Sequence, residues 1–160
     1  MNNSICIVRS DGFYDYASKW FDIETLEDVS YEELCEDMGL VSDDQYLVVA
    51  DAEGALAKEM LKDTNTDIID DVIEVMDYIN SIHMDMDTAT ELLEAGVEYC
   101  ELDSVECVGS SMDDYVEEVI DLWGIPENAR FYIDRESLER DLNIESTFYE
   151  TTNHGLWMYA

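Results

Sequence analysis

Asp67-Ile68-Ile69-Asp70-Asp71-Val72-Ile73-Glu74-Val75-Met76-Asp77-Tyr78-Ile79-Asn80-Ser81-Ile82 is the stretch on which the fold turns. Ile69, Val72, Ile73, Met76 and Ile79 recur at helical spacing, and Asp67, Asp70, Asp71, Glu74 and Asp77 recur at the same spacing on another face. The spacing predicts a helix over 67–82 with one apolar and one acidic side. The design repeats over 112–123, where Met112, Tyr115, Val116, Val119, Ile120 and Trp123 form the apolar stripe and Asp113, Asp114, Glu117, Glu118 and Asp121 the acidic one. Ser111 with Asp114 can cap its start, and Gly124-Ile125-Pro126 ends it. Like charges at i,i+4 cost about 0.2–0.5 kcal/mol per pair, a cost that ordinary helix surfaces relieve with Lys or Arg. Neither helix contains one.

The pattern extends outward. Between Lys62 and Arg130 there is no basic residue and there are 20 acids; the whole chain has 41 acids, seven bases and a formal net charge of -34. Such self-repulsion opposes compaction. Disorder is nevertheless not expected. Hydrophobic residues make up 47% and aromatics 11% of the 160 residues, enough for a core, and the acids are interleaved with Ile, Val, Met and Leu rather than run together. Halophilic adaptation would spread the acids evenly, whereas here the first and last parts of the chain keep their bases.

The charge excludes nucleic acid and anionic membranes as partners. No apolar run approaches a membrane span, and the N-terminus lacks a basic segment followed by an apolar one. Cys6, Cys35, Cys100 and Cys107 form no CxxC and read as reduced thiols. The expected location is the cytoplasm of a bacterial cell. Catalytic, metal and cofactor readings fail. Asp85-Met86-Asp87-Thr88-Ala89 begins like a calcium loop but has Thr90 and Gly96 where Gly and Glu are required. His83 and His154 stand alone, and no nucleotide-binding loop is present.

An α+β fold is expected, with three lobes. Residues 1–62 form a small α/β lobe: strands at 4–9, 18–23 and 45–50, and a helix over 31–38 opened by the capping box Ser30-Tyr31-Glu32-Glu33 and stopped by Gly39. Residues 63–108 form a central acidic helical lobe, with 67–82 followed by a helix at 87–95 that Gly96 stops. The stretch 98–108 is open between a short helix, a strand at 105–108 and a loop. Residues 109–160 form a C-terminal α/β lobe with helices at 112–123 and 134–142, and a terminal hairpin of 147–150 and 156–159 around Asn153-His154-Gly155.

Carboxylates fixed on rigid elements, with bases excluded, imitate duplex DNA. A helix rises about 5.4 Å per turn, and DNA carries one charge per about 1.7 Å of axis over both strands. One stripe is sparser, but several approach that density. The expected partner-binding face is Asp67, Asp70, Asp71, Glu74 and Asp77, then Glu91, Glu94, Glu98 and Glu101, then Asp113, Asp114, Glu117, Glu118 and Asp121. Alternatives are an acidic inhibitor of another DNA-handling system, such as a CRISPR effector, or an acidic binding protein that mimics nothing.

Ile125-Pro126-Glu127, Tyr132-Ile133-Asp134, Arg140-Asp141-Leu142, Thr147-Phe148 and Thr152-Asn153-His154-Gly155 together resemble the ArdA antirestriction proteins. Tyr46 through Ala50 followed by Asp51-Ala52-Glu53-Gly54 is similar to that family's acidic element, and Trp20-Phe21-Asp22 sits where the family has a Trp. Ala52 and Arg135 stand where the family has tyrosines, and Tyr16 to Lys19 replace its glycines. The resemblance implies an elongated, curved DNA mimic that occupies the DNA groove of type I restriction-modification enzymes, is encoded on mobile elements and forms a homodimer through its C-terminal lobe. Phe148, Tyr149, Leu156, Trp157, Met158 and Tyr159 are the expected interface, half of them serving as core.

Overall fold

The computed structural model describes residues 3–10, 15–40, 46–62, 68–152 and 155–159. Asp67, Asn153 and His154 therefore lie outside the described residues. The chain is α+β with two small antiparallel sheets. Composition divides it at 62 and 108, but packing divides it once, into the compact units Met1–Glu94 and Ala95–Ala160. The central stretch is not a body of its own. Its two long helices find their apolar partners in the N-terminal unit, and its remainder supplies a turn and a strand to the C-terminal one.

In the N-terminal unit, β1 (Ser4–Ser10) is the middle strand between β2 (Asp15–Asp22) and β3 (Tyr46–Glu53). A central position demands an apolar strand, and Ile5 and Ile7 are fully buried. The strand expected at 18–23 ends one residue early. Asp22 accepts the Glu24 N–H at 3.1 Å and opens a one-turn helix, α1 (Ile23–Leu26). α2 (Tyr31–Asp37) carries the expected capping box, with Ser30 and Glu33 exchanging hydrogen bonds. Gly39, at φ 69°, ends it. α3 (Ala55–Glu59), followed by a 3-10 turn at Met60–Lys62, was not expected: it has no side-chain cap to announce it.

Two longer helices complete this unit. α4 (Ile68–Ser81) packs on α1 and β3, and α5 (Met86–Glu94) packs on α3. Ile68, Ile69, Val72, Val75, Met76 and Ile79 form the buried face of α4. Ile73, expected in that face, is 38% exposed, because it sits about 100° round the helix from Val72 and outside the arc that the others share. His83 ends α4 in the left-handed region at φ 56°, and the Met84 N–H bonds back to Ile79 O at 3.2 Å. Asn3 ties the layers together. Its amide donates to Thr90 Oγ1 at 2.7 Å, its Oδ1 accepts from Ala57 N, and its carbonyl accepts from Ile23 N. Buried at 3% exposure, it satisfies groups on α1, α3 and α5 that would otherwise be stranded.

In the C-terminal unit, the stretch 98–108 becomes a 3-10 turn at Tyr99–Ser104 and the strand β4 (Val105–Gly109). β6 (Gly155–Tyr159) lies between β4 and β5 (Thr147–Thr151), so the expected hairpin pairs as β5 with β6, Thr151 opposite Gly155. α6 (Met112–Leu122), the one-turn α7 (Glu127–Arg130) and α8 (Arg135–Glu145) complete the unit. Tyr115 joins α6 to the sheet, its ring 5.5 Å from that of Phe148 and its hydroxyl donating to Met158 Sδ at 3.6 Å. Leu102, Val116, Ile120 and Leu156 make a small core.

Gly155 is the tightest point of this unit. At φ 98° it occupies backbone space closed to other residues, and a Cβ there would lie 2.3 Å from the Gly109 carbonyl oxygen. Gly155→Ala is expected to destabilise the C-terminal unit by at least about 2 kcal/mol, through strain and overpacking combined. Denaturant unfolding followed by tryptophan fluorescence measures it, and a loss near zero would contradict this geometry.

Candidate functional site

The expected acidic residues divide into three groups according to what the fold does with them. The first group lies in the N-terminal unit, and its row on α4 stands free. Asp70, Glu74 and Asp77 are exposed on α4, at positions i, i+4 and i+7 of one face. Among the described residues none of them takes an ion pair or a side-chain hydrogen bond. The row spans about 10 Å of axis, a mean spacing of about 5 Å, against about 3.4 Å along one DNA strand. Asp71 is half-buried beside this row. On α5, Glu91 is half-buried and Glu94 exposed. α4 and α5 have no base in their last turn, and Glu94 sits against the negative end of its own helix.

Two of the unit's described bases are engaged elsewhere, and Lys58 is exposed on α3. Arg9 donates to the carbonyls of Met38 and Gly39 at the end of α2, and Lys19 pairs with Asp37. Asp85, the first residue of the apparent calcium loop, caps α5 instead: Thr88 donates to it through N–H at 3.0 Å and through its hydroxyl at 2.7 Å.

The second group is structural. Asp114 accepts from the hydroxyls of Ser110 and Ser111 while its own N–H donates to Ser111 Oγ, the expected cap of α6. Those hydroxyls hold its carboxyl below the usual range. Glu101 accepts from the Tyr159 phenol at 3.3 Å and its charge pushes that phenol above its usual value, so it ties the 3-10 turn to β6.

The third group is neutralised. Glu117 accepts from Arg130 at 3.0 Å and from Arg135 at 2.6 Å, and Asp121 pairs with Arg130. These pairs raise the Arg130 guanidinium further above its ordinary value. The acidic stripe of α6 is therefore not base-free. The stretch without bases ends at Arg130, but the turn at Gly124-Ile125-Pro126 brings α7 and the start of α8 back onto α6, which linear spacing does not reveal. Asp113 and Glu118 remain exposed on α6, and Glu98 is exposed before the 3-10 turn.

The six expected interface residues also divide. Strand alternation puts Phe148, Leu156 and Met158 on one face of the sheet, where Tyr115 packs, and Leu156 is 1% exposed. Leu156 is thus core. Tyr149, Trp157 and Tyr159 share the opposite face and are half-buried. The most exposed large apolar side chains of the unit were missed. They are Leu122 and Trp123 at the end of α6, Phe131 and Tyr132 after α7, and Ile144 in α8, with Phe131 91% exposed. Trp123 reads from spacing as the last member of a core stripe, yet it lies beyond the end of the buried face.

No protein-family model matches this chain, and no curated protein is significantly similar to it. Among the described residues no group of His, Cys, Asp and Glu side chains is placed to hold a metal, and no helix is long and apolar enough to cross a membrane.

The division of the α6 stripe has a direct test. Glu117→Gln removes the anion that Arg135 meets and one of the two that Arg130 meets, and is expected to lower the unfolding temperature, while Glu118→Gln removes only repulsion and leaves stability equal or higher. Equal losses in thermal unfolding of the two variants would contradict the assignment.

Proposed function

We propose that this chain is a non-catalytic DNA mimic of the antirestriction type. It occupies the DNA-binding groove of a type I restriction-modification enzyme and competes with DNA, in the cytoplasm of a bacterial host. The observation that carries this reading is the free row Asp70, Glu74 and Asp77, rigid on a fourteen-residue helix and unpaired among the described residues. A surface retained at an electrostatic cost to its own helix is explained by a partner that repays it. A basic DNA groove has the required sign, and long-range attraction would speed the encounter. Glu94, Glu98, Asp113 and Glu118 add to the negative face of their respective units. Glu117, Asp121, Glu101 and Asp114 hold the fold that presents it. The sequence resemblance to ArdA-type proteins supplies the type I target; the charge alone fits any basic DNA groove, including that of a CRISPR effector.

Competition is measured by displacement of labelled DNA from a type I methyltransferase core. Displacement is expected below about 0.15 M salt, where screening is moderate. Reversing Asp70, Glu74 and Asp77 together to Lys is expected nearly to abolish it, and each single reversal to weaken it modestly. No displacement at any lower salt would refute the proposal, and loss through one acid alone would indicate a local anchor in place of a distributed surface.

We also propose a two-fold homodimer through the C-terminal unit, which would present each acidic face twice. The surfaces available are the Tyr149, Trp157 and Tyr159 sheet face and the exposed group around Trp123 and Phe131. Sedimentation equilibrium at tens of micromolar near neutral pH is expected to give twice the chain mass of 18.4 kDa. A strict monomer there would refute the dimer and leave the mimicry untouched.

A further inference from the structure

A cavity of about 400 Å3 opens in the N-terminal unit among β2, α1 and α2. Its volume falls within the range of sites that hold an organic group. Phe21, Leu26, Val29 and Leu34 line it, and Leu26 and Leu34 are each 1% exposed, so its floor is apolar. Asp28, Glu33 and Asp37 also line it and are themselves exposed, so its mouth is anionic. Glu33 is fixed there by its hydrogen bonds with Ser30. The chain's own cation shows what the mouth takes. Lys19 pairs with Asp37 and lies 4.9 Å from the centroid of the Phe21 ring.

We infer that this cavity receives one long basic side chain, lysine or arginine, of the protein that the chain binds. The aliphatic stem lies on Leu26, Val29 and Leu34, and the charged head sits between Asp28, Asp37 and the Phe21 ring. The inference rests on the reading above that the partner is a basic protein. The chemistry excludes other occupants. An anion meets three carboxylates at the mouth, a bare metal ion leaves the apolar floor unused, and a free diamine would bury a second charge on that floor. A basic side chain presents one charge and one apolar stem, as the cavity does. Lys19, half-exposed, is then an internal competitor that swings aside.

The test is an amide-resonance titration of the intact protein at constant ionic strength, with n-butylguanidinium as the probe and guanidinium as the stemless control. Saturating shifts at Phe21, Leu26, Val29 and Leu34 are expected with butylguanidinium, at least about fivefold tighter than with guanidinium. The double variant Asp28→Asn/Asp37→Asn, which leaves the Ser30–Glu33 cap in place, is expected to weaken the probe at least about fivefold. Lys19→Gln, which removes the competitor, is expected to tighten it about threefold. Equal, non-saturating shifts for both cations, or saturation at other residues, would overturn the inference. DNA displacement without saturation at the cavity leaves the mimicry standing and rejects the cavity. Saturation without DNA displacement does the reverse.

Discussion

The mutual repulsion of 41 carboxylates, set against seven basic side chains, is present in every compact arrangement of this chain, and the two units meet it differently. In the C-terminal unit the bases answer it directly. Arg130 and Arg135 converge on Glu117, and Arg130 also holds Asp121, so the middle of the α6 stripe is neutralised where α7 and α8 pack. The N-terminal unit answers through local hydrogen bonds. Asp22, Glu33 and Asp85 cap helix N-termini, where the helix macrodipole favours negative charge. Arg9 is committed to the carbonyls that end α2. Among what these devices leave over is the row on α4, where Asp70, Glu74 and Asp77 meet no cation among the described residues. The row is therefore charge that folding does not neutralise, and the functional proposal rests on it.

Apolar burial has to outweigh that repulsion, and it does so unevenly. The N-terminal unit is built on a central strand whose Ile5 and Ile7 are fully buried and on a buried face of six residues on α4, with Asn3 tying α1, α3 and α5 together. The C-terminal unit has a smaller core around Leu102, Val116, Ile120 and Leu156, and it leaves Leu122, Trp123, Phe131, Tyr132 and Ile144 largely in solvent. Such side chains mark sites of association where they form a contiguous patch. This contrast is independent of the charge pattern, so the proposed self-association and the proposed DNA mimicry rest on different features of the molecule.

Much of the local structure was legible in the sequence, because its signals are short-range. The capping box at Ser30, the stop at Gly39, the cap at Ser111 and the hairpin strands at 147–150 and 156–159 each depend on residues within one turn or one strand pair. α1, α3 and α7 were not legible, being one turn or little more and too short for a periodic pattern. The boundary at Glu94 was not legible either, since composition changes at 62 and 108 while packing partners change elsewhere. The acids of the candidate face were legible as a set but not by role. Glu118 and Glu117 are neighbours in sequence, yet only Glu117 lies where the chain returns with Arg130 and Arg135. Which carboxylates are free is a long-range property, and charge spacing alone cannot assign it.

The claim that the unpaired carboxylates act as phosphates do is tested most directly by the salt dependence of the affinity for the target enzyme. DNA binding weakens steeply with salt, because each neutralised phosphate contributes about −0.9 to the log–log slope. Titrating the enzyme with this protein between about 50 and 200 mM salt should show a fall in affinity of tenfold or more, with a slope of several, since the free rows meet fixed cations across the interface. An affinity unchanged over that range would mean that apolar or specific contacts hold the complex, and it would contradict the account.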